Sequence, residues 1–106
     1  MAFDAINEIR YHYLMITSFA CRDTEALFNG KIVARFSNIA RVALRKLQQV
    51  HAAARLDFLR IPPNNRLELL KGDRAGQYSI RINDKWRVCF RFKDGNASDV
   101  EIVDYH

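Results

Sequence analysis

The final three residues, Asp104, Tyr105 and His106, set a carboxylate, a phenol and an imidazole side by side. Imidazole titrates near neutral pH, so His106 is the best acid–base candidate in the chain, although an isolated terminal histidine is more often a frayed surface residue. A second group is cationic: Lys71 after Leu69-Leu70, Arg74 in the Gly72 to Gly76 turn, and Arg81, Arg87 and Arg91 at alternating positions beyond it. Guanidinium forks match phosphate oxygens in a bidentate manner. Proton carriers beside fixed positive charge suit the cleavage of RNA by its own 2′-hydroxyl. That route needs a base for the hydroxyl, an acid for the departing 5′-oxygen and cations for the phosphorane, and side chains can supply all three without a metal. The chain has no HExxH, carboxylate cluster or paired Cys/His spacing for a metal, and no glycine-rich phosphate loop. No cofactor is expected.

These residues need a rigid carrier, and the stretch 69–92 reads as one. Tyr78, Ile80 and Ile82 alternate with Gln77, Ser79, Arg81 and Asn83; Trp86, Val88, Phe90 and Phe92 alternate with Arg87, Arg91 and Lys93. Strict alternation around the tight Asn83-Asp84-Lys85 connection predicts a half-buried antiparallel hairpin. One face is apolar core. The other is a positive strip suited to a phosphate backbone.

Around the hairpin, Met15 to Ala20 reads as a strand, and Asp23 as the cap of a short helix ending at Asn29-Gly30. Ser37 or Asn38 opens the longest helix, to about Ala54, with Ile39, Ala43, Leu44, Leu47, Val50 and Ala54 as its core face. Its opposite stripe, Arg41, Arg45, Gln48 and Gln49, is either a solvated face or a contact for ribosomal RNA or a partner. Pro62-Pro63-Asn64-Asn65 marks a loop, Arg66 to Leu70 a strand, Asp94-Gly95-Asn96 a turn and Val100 to Val103 the last strand. Strands gathered after helices indicate an α+β domain: an antiparallel sheet of four to five strands, with a mixed edge, and two to three helices on one face.

The chain has 106 residues, a formal net charge of +5, and fifteen Lys or Arg against four Asp or Glu between Lys31 and Lys93. From Asp94 onward there are four acids and no Lys or Arg. A basic body suits nucleic acid, the ribosome or an acidic protein partner, as well as plain solvation. No apolar run is long enough to span a membrane and no secretory signal is visible. Cys21 and Cys89, without metal spacing, read as reduced thiols of a cytoplasmic protein.

Leu70-Lys71-Gly72-Asp73-Arg74, the hairpin with Asn83-Asp84-Lys85-Trp86-Arg87, and the terminal Val103-Asp104-Tyr105-His106 together resemble the HigB branch of the RelE/ParE toxin superfamily. The resemblance covers residues 15–106 as one toxin domain and leaves residues 1–14 outside, as an amphipathic helix or a dispensable extension. It implies a RelE-like microbial-RNase fold and a toxin of a type II toxin–antitoxin pair that cuts mRNA on the ribosome. It places catalytic weight on Lys71, Arg87, Asp104, Tyr105 and His106, with Arg74, Ser79, Arg81 and Arg91 toward the substrate. Asp104 then orients the imidazole and raises its pKa, or is itself the base. Tyr105 stacks on a base, bonds the backbone or simply sits at the core edge. Implied partners are the small ribosomal subunit with its mRNA, and a helix-turn-helix antitoxin through which the complex can bind operator DNA.

One departure stands out. Glu68 occupies the place where some HigB proteins carry a histidine, and neither His12 nor His51 is a natural substitute. Two other readings stay open: a ParE-like toxin that binds gyrase without cutting, or an RNA- or ribosome-binding module without turnover. The terminal Asp-Tyr-His argues for cleavage.

Overall fold

The computed structural model describes residues 15–104, with the order β1 (Met15–Ile16), α1 (Arg22–Phe28), α2 (Ala40–Ala52), β2 (Glu68–Leu69), β3 (Tyr78–Arg81), β4 (Trp86–Lys93) and β5 (Asn96–Asp104). Short 3-10 turns at Ala34–Phe36, Leu56–Arg60, Pro63–Asn65 and Gly72–Arg74 link them. The N-terminal extension, Tyr105 and His106 lie outside the described residues.

The strands form one five-stranded sheet in the order β1-β5-β4-β3-β2. β2 to β5 pair antiparallel, and β1 adds a parallel edge, Met15 opposite Asn96. The α+β architecture with a mixed edge is therefore as expected. Asp94 and Gly95, both at positive φ, join β4 to β5 in a two-residue turn between Lys93 and Asn96. That local chemistry matches the right-handed twist of paired strands. In the other hairpin Asn83 Oδ1 accepts from both Lys85 N and Trp86 N at 2.8 Å, which closes the connection.

α1 and α2 cover one sheet face. Ile80, Val88, Phe90, Val100 and Ile102 meet Leu27, Phe36, Ala43, Leu47 and Val50 there, all nearly solvent-free. Thr24 of α1 is fully buried and its hydroxyl accepts from Ile102 N at 3.0 Å, satisfying a β5 backbone donor beyond the short β1.

Several boundaries differ from the sequence expectation. β1 is two residues long, with only an isolated bridge from Phe19 to Val100 continuing toward Ala20. α1 is capped at Cys21, and Asp23 instead pairs with Arg35 at 2.7 Å. α2 begins at Ala40, because Ser37 closes the preceding 3-10 turn by donating its N–H to Ala34 O. β2 covers only Glu68–Leu69, since Arg66 adopts a left-handed conformation (φ 47) that no strand accommodates. β5 is longer than Val100 to Val103 because the turn starts pairing at Asn96.

The core face of α2 also holds a surprise. Lys46 is buried between Ala43 and Leu47 and donates to Asn65 Oδ1 at 2.5 Å. Asn65, with no exposed surface, donates in turn to Gln49 Oε1 at 3.1 Å and Leu59 O at 3.0 Å. This polar knot ties the 59–66 loop to α2 directly upstream of the functional strands. Burial, then the charge of Arg45, lowers the Lys46 pKa.

Candidate functional site

The sheet face opposite the helices carries the candidate site. Its floor comes from register: Glu68 lies opposite Ser79, Ser79 opposite Cys89, and Cys89 opposite Glu101. Directly paired residues share a face, so these four cross the sheet in one row. Ser79 and Cys89, in the middle, are fully buried. Arg81 and Arg87 pair with each other in the next row.

Arg87 bends back over the row. Its Nη1 donates to Ser79 Oγ at 2.7 Å and to Arg66 O at 3.4 Å, and stands 3.4 Å from Glu68 Oε1. Arg74 closes the opposite side from the 3-10 turn, donating to Glu101 Oε1 at 3.0 Å and Gln77 Oε1 at 3.1 Å. The four charges surround the Cys89 thiol. Its pKa is pushed up to about 11, chiefly by burial; Arg74 and Arg87 pull it down, while Glu101 and Glu68 push it up. The strip expected to be uniformly positive is thus interleaved with carboxylates, because alternation places Glu68 and Glu101 on the same face as the arginines.

The remaining expected residues are spread around this centre. Ser79, expected toward the substrate, has no exposed surface and touches Arg87 instead. Arg81 is engaged by Asp84 of its own turn. Arg91 pairs with Asp99 at 3.3 Å, beside a bulge where β5 carries an extra residue and Asp99 takes positive φ. Gly76 (φ +87) lets the preceding turn close on Arg91: a Cβ there would lie 3.0 Å from Arg91 Nη1. Lys71 is exposed and makes no ion pair among the described residues.

Asp104 ends β5 opposite Trp86, and Lys85 Nζ lies 3.5 Å from its Oδ2. Arg87 lies opposite Val103, so strand alternation points Asp104 to the other side of the sheet from Arg87. Tyr105 and His106, the other two terminal candidates, fall outside the described residues. Glu101 was absent from the sequence-derived set. Its signal was the period of two running back from Val103 on the outer face of β5.

The sequence profile of the RelE-like HigB toxins of type II toxin–antitoxin systems matches residues 28–106, most of the chain and all of this site. The chain belongs to the HigB-like toxin family. Within that family it is similar to Endoribonuclease HigB of Proteus vulgaris, 32% identical over 94 residues, which are 87% of this chain and 100% of that protein. It is also similar to Toxin HigB-1 of Vibrio cholerae, 44% identical over 61 residues, 58% of this chain and 64% of that toxin. A Haemophilus influenzae protein matches at 34% over 64 residues, 60% of this chain and 63% of its own length. The match to the latter two therefore spans less than two thirds of each. Among solved structures, the YoeB-YefM complex from Staphylococcus aureus shares the fold, with a TM-score of 0.53 and 20% identity over 88% of this chain and 97% of that one. The chain is thus a member of the family of RelE-like HigB toxins with an α+β fold, and no helix among the described residues is long and apolar enough to cross a membrane.

Proposed function

We propose that this toxin is an endoribonuclease that cuts mRNA held in the decoding site of a translating ribosome. The observation that carries the reading is the Arg87 guanidinium, fixed on two paired strands beside the Glu68 carboxylate. A phosphorane gathers negative charge on its oxygens, and an immobile guanidinium meets it without reorganising. Lys71 adds a second cation. Glu68, standing where some HigB proteins carry a histidine, accepts the 2′-hydroxyl proton, and His106, with Tyr105, returns a proton to the 5′-oxygen. Arg74 and Arg91 hold the flanking phosphates. No step calls for a metal. The ribosome positions the mRNA in line for attack, so the toxin supplies charge and proton transfer alone.

The name of the Proteus vulgaris relative supports the activity, and membership of a toxin family of type II toxin–antitoxin systems supports an antitoxin as partner. That antitoxin is a helix-turn-helix protein encoded beside this chain, which meets the toxin's basic surface with an acidic one and carries the pair to operator DNA. The toxin acts in the cytoplasm through residues 15–106, and residues 1–14 are dispensable. The test is purified toxin with ribosomes programmed with mRNA, against the same RNA naked. Cutting only on the ribosome is the expected result. Efficient cutting of naked RNA removes the ribosome from the mechanism, and growth arrest with gyrase inhibited and mRNA intact replaces the reading with a ParE-like one.

A further inference from the structure

We infer that Ser79 is a positioning residue for Arg87 and acts on the reaction only through that guanidinium. The inference rests on the function proposed above. Ser79 has no exposed surface, whereas the Arg87 side chain above it is 14% exposed, so a ligand arriving on this face meets Arg87 and not the hydroxyl. The 2.7 Å bond runs diagonally, since Ser79 lies opposite Cys89, two residues along β4 from Arg87. Such a diagonal lies within the reach of a long side chain.

Chemistry explains why a hydroxyl stands there. A buried strand position costs least when filled by an apolar side chain, and a buried hydroxyl is tolerated only where it is hydrogen-bonded. The guanidinium supplies that bond. Two further Nη1 contacts among the described residues hold the arginine less firmly: Arg66 O is 3.4 Å away, and Glu68, also 3.4 Å away, is half exposed. Among these described contacts Ser79 is the short, dry, fixed acceptor. Without it the guanidinium regains rotamer freedom, which must be removed again in each transition state.

A double-mutant cycle tests this, with single-turnover cleavage on programmed ribosomes by wild type, Ser79→Ala, Arg87→Ala and the double variant. Ser79→Ala should lower the maximal single-turnover rate about tenfold, with the half-saturating ribosome concentration, melting temperature and antitoxin binding unchanged, as expected of a misaligned catalytic group. Beside Arg87→Ala it should have no further effect. If Ser79→Ala unfolds the protein, Ser79→Cys, of similar volume and weaker acceptor strength, takes its place in the cycle. Losses that multiply show that Ser79 makes its own substrate contact and overturn the inference. So does a wild-type rate in Ser79→Ala, or a rate loss matched by lost antitoxin binding. An inactive wild type, or Arg87→Ala at full rate, overturns the proposed mechanism and this inference with it, and the wild-type and Arg87→Ala arms tell those cases apart.

Discussion

Arg87 Nη1 and Glu68 Oε1 stand 3.4 Å apart although β3 runs between their strands. The pair spans the buried Ser79 and closes over it. Arg87 is therefore held from both the edge strand and the sheet interior, whereas Arg81, its directly paired neighbour, is engaged among the described residues only by Asp84 of its own turn.

The two arginines should differ in their effect on cleavage. Arg87→Ala should reduce the single-turnover rate on ribosomes by about 10²–10³, the usual cost of one charge-stabilising donor. Arg81→Ala should stay within about fivefold, since an exposed ion pair contributes roughly 1 kcal/mol at most. Equal losses would remove the distinction that the ion pairs draw.

Removal of 104–106 should abolish cleavage while antitoxin binding persists, because general acid–base catalysis contributes about 10²–10⁴-fold. Among the described residues it removes the last β5 pairing, Trp86 with Asp104, and the Lys85 contact. Full toxicity of the truncated chain in growing cells would take the terminal residues out of the mechanism.

The two thiols should label at very different rates. Burial raises the Cys21 pKa, but hydrogen bonds from Thr24, Asp23 and Arg35 outweigh it and the net shift is downward. Cys89 is buried beneath the site and pushed up to about 11. Thiolate is the reactive form. Iodoacetamide at neutral pH, followed by peptide mass spectrometry, should modify Cys21 in the folded protein and Cys89 only after denaturation. Native labelling of Cys89 would show that the charged roof opens.

His51 should make stability fall in mild acid. Its Nδ1 accepts from Ile16 N at 3.0 Å, so the folded state keeps the ring neutral, and burial lowers its pKa from 6.5. The unfolded chain then binds more protons than the native one below that value, so this contribution is complete above about pH 6.5 and declines as pH falls toward the folded pKa. Denaturant midpoints between pH 7.5 and 5.5 (roughly one unit either side of an ordinary histidine pKa) should show the decline. His51→Phe should flatten it while lowering stability at the upper end. An unchanged slope in that variant would assign the acid sensitivity to other groups.

Local chemistry decided much of this protein. A period of two with aromatic and β-branched residues specifies β3 and β4 whatever surrounds them. The Asp94-Gly95 turn and the period of α2 are likewise properties of a few consecutive residues. The family, too, is written in short segments such as Leu70 to Arg74. The site's electrostatics were not legible, because they depend on register between segments far apart in the chain. Glu101 reaches Arg74 only after β5 pairs with β4, and Glu68 reaches Arg87 only across β3. Lys46, a charge on a basic helix, becomes a buried group only when Asn65, nineteen residues later, arrives to accept its hydrogen bond. Ser79 reads as an exposed hydroxyl on a polar face until Arg87 and Cys89 cover it. In each case the deciding quantity is desolvation. A side chain's exposure follows from what the rest of the chain packs against it, and no stretch of local sequence contains that information.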